Sequence, residues 1–229
     1  MDTTTELRFL ASQSAGEVSA LLVRPDDARW LYVFGHGAGA GMRHRFMGAA
    51  ADALAAHGIA TLRYQFPYME QRSRRPDPLP ILLATVRGAV AAARQAAPDL
   101  PLLAGGKSMG GRMTSQAAAA DPGLEGVRGL VFFGFPLHPP GAPGTSRADH
   151  LDQAPQPMLF LQGTRDKLAD LDLLRPVIDR IGARATLYIV DGADHSFALP
   201  KRTGKGEVDV LEELARTTSE WTQKLKATV

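Results

Sequence analysis

One pattern limits this chain more than any other: short, continuously apolar runs alternate with longer, alanine-rich segments along most of its length. The runs 30–37 (WLYVFGHG), 59–66 (IATLRYQF), 101–108 (PLLAGGKS), 127–136 (VRGLVFFGFP), 157–164 (PMLFLQGT) and 185–195 (ATLYIVDGADH) read as strands. Strands that are apolar throughout are covered on both faces. Between them, 43–58, 79–98, 109–121, 168–182 and 207–228 read as helices. Gly58, Pro98 and Pro122 stop the first three, and Pro176 interrupts the fourth. Such alternation builds a parallel sheet with helices on both faces. The run 17–25 (EVSALLVRP) instead alternates, as a half-exposed strand does, and predicts an antiparallel start. The expected fold is α/β, one domain over residues 1–229. The segment 136–156 is rich in Pro and Gly and reads as a surface excursion over one strand end.

What the chain lacks excludes several chemistries. It has no cysteine, so disulfide scaffolds, thiolate metal sites and cysteine nucleophiles are ruled out. Its net charge is +2, and no basic run is interleaved with aromatics, so no nucleic-acid partner is expected. No apolar run reaches the roughly 18 residues of a membrane span. The opening MDTTTELRFL has no basic region followed by an apolar one, so no signal peptide is read and a cytoplasmic protein is expected. The six histidines show no metal-ligand spacing with one another or with carboxylates, and neither metal nor cofactor is expected. GHGAGAG (35–41) lacks the Rossmann spacing, an acidic residue after the next strand and a P-loop lysine, which argues against a nucleotide site. Nothing in the sequence bears on oligomeric state.

The chemistry is concentrated at strand ends, where reactive groups of open α/β sheets collect. AGGKSMGGR (104–112) holds Ser108 between Gly106 and Gly110, at the junction of an apolar strand and an alanine-rich helix. A G-x-S-x-G in that setting is a nucleophile elbow, a strained turn that presents the hydroxyl at a helix N-terminus. Gly105 and Gly111 let strand and helix approach closely. A serine hydroxyl needs a base, and the base an orienting acid. His195 follows the last strand and is the candidate base. Asp166, just past the strand ending near Gln162, is the candidate acid, with Asp191 as the alternative. The order Ser, Asp, His matches this type of sheet. The backbone N–H groups of Met109 and Ala38, or of Gly37 in place of Ala38, are candidate oxyanion donors, and His36 is placed to support that loop. Arg72, Arg74 and Arg75 follow a strand beside the oxyanion strand. They either hold an acidic substrate group or pair with Glu70 and Asp77. His138 is a further candidate for the cleft rim.

These residues resemble the α/β-hydrolase superfamily over nearly the whole chain, from GHGAGAG through GGKSMGGR and GTRD to GADHSF. FPYMEQ, RRPDP, FFGFPLHPPG, LFLQGTRD and GADHSF are similar to a subgroup of the dienelactone-hydrolase branch. That subgroup includes the bacterial relatives of testis-expressed protein 30 and of the third regulatory subunit of the NSL acetyltransferase complex. The resemblance implies an eight-stranded sheet without a large cap domain. It also implies Ser108 as nucleophile, Asp166 as acid, His195 as base, and esterase-like activity without a cofactor. Ser108 stands where dienelactone hydrolases typically carry a cysteine, which counts against that lactone chemistry. The lack of an inserted lid points to a small soluble acyl substrate rather than a lipid interface. The same apparatus serves thioester or peptide cleavage, and a binding or scaffold role on the same fold is the competing class.

Overall fold

The computed structural model describes residues 3–120 and 122–226. Asp121, and residues 227 and 228, where the sequence ends two of its helices, lie outside the described residues. Eight strands form one sheet: β1 (Thr3–Ser12), β2 (Gly16–Arg24), β3 (Trp30–Gly35), β4 (Ile59–Tyr64), β5 (Leu102–Lys107), β6 (Val127–Phe133), β7 (Met158–Gly163) and β8 (Ala185–Val190), in the order β1-β2-β4-β3-β5-β6-β7-β8. β1 pairs antiparallel with β2, and β2 antiparallel with β4. The remaining pairings are parallel.

The strand composition explains how the sheet is covered. In β3 the side chains alternate between two cores: Leu31 and Val33 enter one, Trp30, Tyr32 and Phe34 the other. The first core packs against α3 (Leu79–Ala96), α4 (Met109–Ala119) and α5 (Leu171–Ile181). The second packs against α1 (Arg45–Ala56) and α6 (Glu207–Lys226) through residues such as Phe46, Leu54, Leu214 and Trp221. A short α2 (Pro67–Glu70) follows β4. Among the described residues no helix is long and apolar enough to cross a membrane.

Four sequence expectations change. β1 is an additional strand. Its first half, Thr4, Thr5 and Glu6, is exposed, and only Phe9 and Ala11 turn fully into the core, which gives it a weak apolar signal. β2 is mostly buried rather than half-exposed, because it lies between β1 and β4 and both α1 and α2 contact it. The segment 136–156 is not a bare surface excursion. It contains a 3-10 helix (Ser146–Gln153) that packs against α4 and buries Leu137, Ala148, Leu151 and Ala154. Pro176 does not interrupt α5, which runs through it.

Sheet order also locates the site. From β3 the chain crosses to β4 on one side, then returns to β5 on the other. Loops leaving the C-terminal ends of β3 and β5 therefore diverge, and a crevice opens between them, as at other topological switch points.

Candidate active site

Ser108 lies in that crevice, between β5 and α4. Its backbone adopts φ 51° and ψ −115°, a region that costs energy for a residue with a side chain and persists only where surroundings enforce it. The enforcement is visible. Ser108 N–H donates to Phe133 O at 3.1 Å, and Arg112 N–H donates to Ser108 O at 3.1 Å. A Cβ at Gly106 or Gly110 would collide with the Gly35 carbonyl of β3, so only glycines let α4 sit this close to the sheet. Ser108 is the N-cap of α4 but its hydroxyl makes no capping bond. Instead Oγ lies 2.9 Å from His195 Nε2.

The other two groups arrive from neighbouring strand ends. His195 follows β8, and its Nδ1 lies 2.7 Å from Asp166 Oδ2. A carboxylate only accepts, so Nδ1 carries the proton and Nε2 presents its lone pair to the serine hydroxyl. Asp166 follows β7 and is buried. It also accepts from Leu168 N–H at 2.8 Å and from Gln162 Nε2 at 2.5 Å. Gln162 Oε1 in turn accepts from Phe135 N–H at 3.0 Å, so one amide ties the acid to the end of β6. The alternative acid, Asp191, instead accepts from Thr164 Oγ1 at 3.2 Å, and Asp194 caps the N–H groups of Ser196 and Ala198.

The turn after β3 is held from beneath. His36 is fully buried, and burial pushes its imidazole down to about 4. It is therefore neutral at physiological pH, donating from Nδ1 to Gly37 O at 2.7 Å and accepting at Nε2 from Phe66 N–H at 3.2 Å. Gly39 N–H donates to Tyr68 Oη and Ala40 N–H to Gly37 O. The Ala38 N–H has no acceptor among the described residues, and Ala38 lines the cavity with Ser108. Met109 is the first residue of α4, whose leading N–H groups have no intrahelical acceptor.

The cavity over Ser108 measures about 580 Å³. Gly37, Ala38, Phe46, Met47, Leu168 and Ala198 give it a mainly apolar wall, and Arg45, ion-paired with Glu207, joins the ends of α1 and α6 at its edge. His138 is not on this rim. It is buried in the folded 136–156 segment, where its Nε2 accepts from Asp170 N–H at 3.0 Å and its Nδ1 bonds Pro139 O. Arg72, Arg74 and Arg75 are exposed and do not line the cavity. Nor do they pair as expected: Glu70 bonds Arg8 and Ser19, and Asp77 accepts from Tyr68 N–H. Two residues at the site carried no separate sequence signal. Gln162 read as a strand residue, although a glutamine inside an apolar run is itself a cue. Lys107 read as the variable position of G-x-S-x-G.

The chain belongs to the family described as the alpha/beta hydrolase domain, whose model matches residues 28–223. Among relatives, it is 30% identical over 212 residues to a Mycobacterium tuberculosis protein provisionally named a phosphoribosyl transferase, a match covering 89% of this chain and 43% of that protein. The chain thus spans less than half the length of that relative. Among solved structures, the fold is similar to a dienelactone hydrolase from Anabaena variabilis, with a TM-score of 0.75 at 21% identity over 97% of this chain and 98% of that one. It is also similar to an α/β serine hydrolase without a lid from Xanthomonas campestris, with a TM-score of 0.72 at 18% identity over 95% and 94% of the two chains.

Proposed function

We propose that this protein is a serine hydrolase of the carboxylesterase type, acting on small soluble acyl esters. The observation that supports this most is the continuous line from Ser108 Oγ to His195 Nε2 and from His195 Nδ1 to Asp166 Oδ2, opening on an apolar cavity. In this reading His195 takes the Ser108 proton as Oγ bonds to the acyl carbon, whose carbonyl oxygen becomes an oxyanion. The N–H groups of Met109 and Ala38 receive that oxyanion. Collapse expels the alcohol, which leaves with the proton from His195. Water, deprotonated by His195, then attacks the acyl-enzyme and restores Ser108. Asp166 stays ionised and steadies the imidazolium.

Within the family, the phrases RRPDP and GADHSF support the subgroup related to testis-expressed protein 30. The transferase name belongs to a protein more than twice as long as the matched region, and nothing at Ser108 calls for phosphoribosyl chemistry. The deciding experiment is labelling by a fluorophosphonate, read by mass spectrometry, on wild type, Ser108→Ala and His195→Ala. Labelling of Ser108 that is lost in both variants is expected, followed by turnover of acetyl to hexanoyl esters in preference to thioesters and peptides. A folded wild type that resists the probe would sink the hydrolase reading and favour a binding role.

A further inference from the structure

The reaction proposed above leaves Lys107, a charged residue beside the base, without a task. Its Nζ donates to the backbone carbonyl of His195 at 2.6 Å. The ammonium also lies 5.7 Å from the ring centroid of Phe46 on α1 and 5.5 Å from that of Phe197 in the base loop. One side chain thus joins the end of β5, the start of α1 and the loop that carries His195. The space is kept for it. A Cβ at Gly134, after β6, would stand 3.0 Å from Nζ and 3.4 Å from the His195 ring. The loop itself is under strain: Phe197 has φ 63°, an uncommon conformation for a bulky side chain.

We propose that Lys107 is a positioning residue for the general base, clamping the strained base loop through the His195 carbonyl and the Phe197 ring. This rests on the serine-hydrolase reading. The hydrogen bond and the two ring contacts fix the side chain between β5, α1 and the base loop. Its direct effects on the reaction oppose one another. As Ser108 attacks, imidazolium and oxyanion form together, and a nearby cation disfavours the first while favouring the second. What remains is the geometry of Nε2 over the serine.

The charge is also removable. Burial pushes the Lys107 ammonium down to about 8, against the opposing pull of Asp166 and Asp194. His195 lies beside it, and His44 and the paired Arg45 and Glu207 line the same cavity. A released Lys107 would be hydrated and hold its proton to higher pH, so losing the proton as pH rises through about 8 does not release the clamp.

The test is the second-order fluorophosphonate labelling rate of wild type, Lys107→Met and Lys107→Arg at neutral pH, read beside the low-field proton resonance of His195 Nδ1–H. Lys107→Met is expected to label at least tenfold more slowly and to broaden that resonance, and Lys107→Arg, which keeps a donor, to recover part of the rate. A folded Lys107→Met that labels at the wild-type rate with the resonance unchanged would overturn the clamp while leaving the hydrolase reading intact. Absence of any labelling would instead remove the reading on which it rests.

Discussion

Gln162 touches no substrate, yet it joins the acid to the sheet. Its amide donates to Asp166 and its carbonyl accepts from Phe135 N–H, all within the core. Gln162→Met keeps the volume but strips Asp166 of one donor and leaves a buried N–H without an acceptor. An unsatisfied buried group costs about 1–3 kcal/mol, and a hydrogen bond to a charged group contributes a similar amount. A loss of roughly 2–4 kcal/mol in urea unfolding is expected, with fluorophosphonate labelling slowed by about tenfold as the carboxylate turns from the imidazole. Asp191→Ala is the matched control. Asp191 touches Thr164 and not His195, so labelling is expected to stay at the wild-type rate. If Asp191→Ala stops labelling and Gln162→Met does not, the acid has been assigned to the wrong aspartate.

Among the elements, α5 shows where sequence reasoning and structure part. Pro176 predicts an interruption, because proline lacks the N–H that would bond to the residue four before it and crowds that carbonyl. The helix runs on regardless, because Leu174, Val177 and Ile181 bury one face against the sheet while Pro176 remains exposed. Packing outweighs the lost bond. Pro176→Ala restores the bond to Asp172 O but frees the unfolded chain by about 0.4–1 kcal/mol. The net expectation is a gain of about 1–2 kcal/mol, read as a higher urea midpoint. No gain would mean that the helix has already adjusted around the ring. The same contest between local signal and packing decides what else was legible. The parallel strands announce themselves as apolar runs because both their faces are covered, and Ser108, Asp166 and His195 stand out because each follows such a run. β1 hid because its first half faces solvent. His138 was misplaced because the apolar residues that fold 136–156 are spread among prolines and glycines. Arg72, Arg74 and Arg75 were drawn to the cleft by position in sequence alone. Lys107 is invisible in the sequence because its contact lies 88 positions away, whereas Gln162 is marked by its place in an apolar run and only its bond to Phe135, 27 positions away, is hidden.

For the whole molecule, stability is expected to fall in acid and to hold through mild alkali. His36 is buried neutral, its folded value near 4 against 6.5 unfolded. Between those values the unfolded chain binds the extra proton, so stability is complete above about pH 6.5 and falls toward pH 4. Holding His36 neutral at this depth corresponds to roughly 3 kcal/mol, or on the order of 5–10 °C in Tm for a chain of this size. His150, held against Ser115 and also pushed down to about 4, adds a smaller loss in the same direction because it lies nearer solvent. Lys107 acts on the other side of neutrality. Its folded value near 8 lies below the unfolded 10.5, so again the unfolded chain holds the proton longer, and stability rises as pH climbs through that window. The buried Tyr32 and Tyr64 hydroxyls are pushed up by burial and reverse the trend only above about pH 10. Thermal unfolding is therefore expected to show a lower Tm near about pH 4.5 than at about 7, and no decline between about 8 and 9.5. A Tm that stays level between about pH 4.5 and 7 would mean that His36 is not held neutral by burial, since its protonation would then cost the fold nothing.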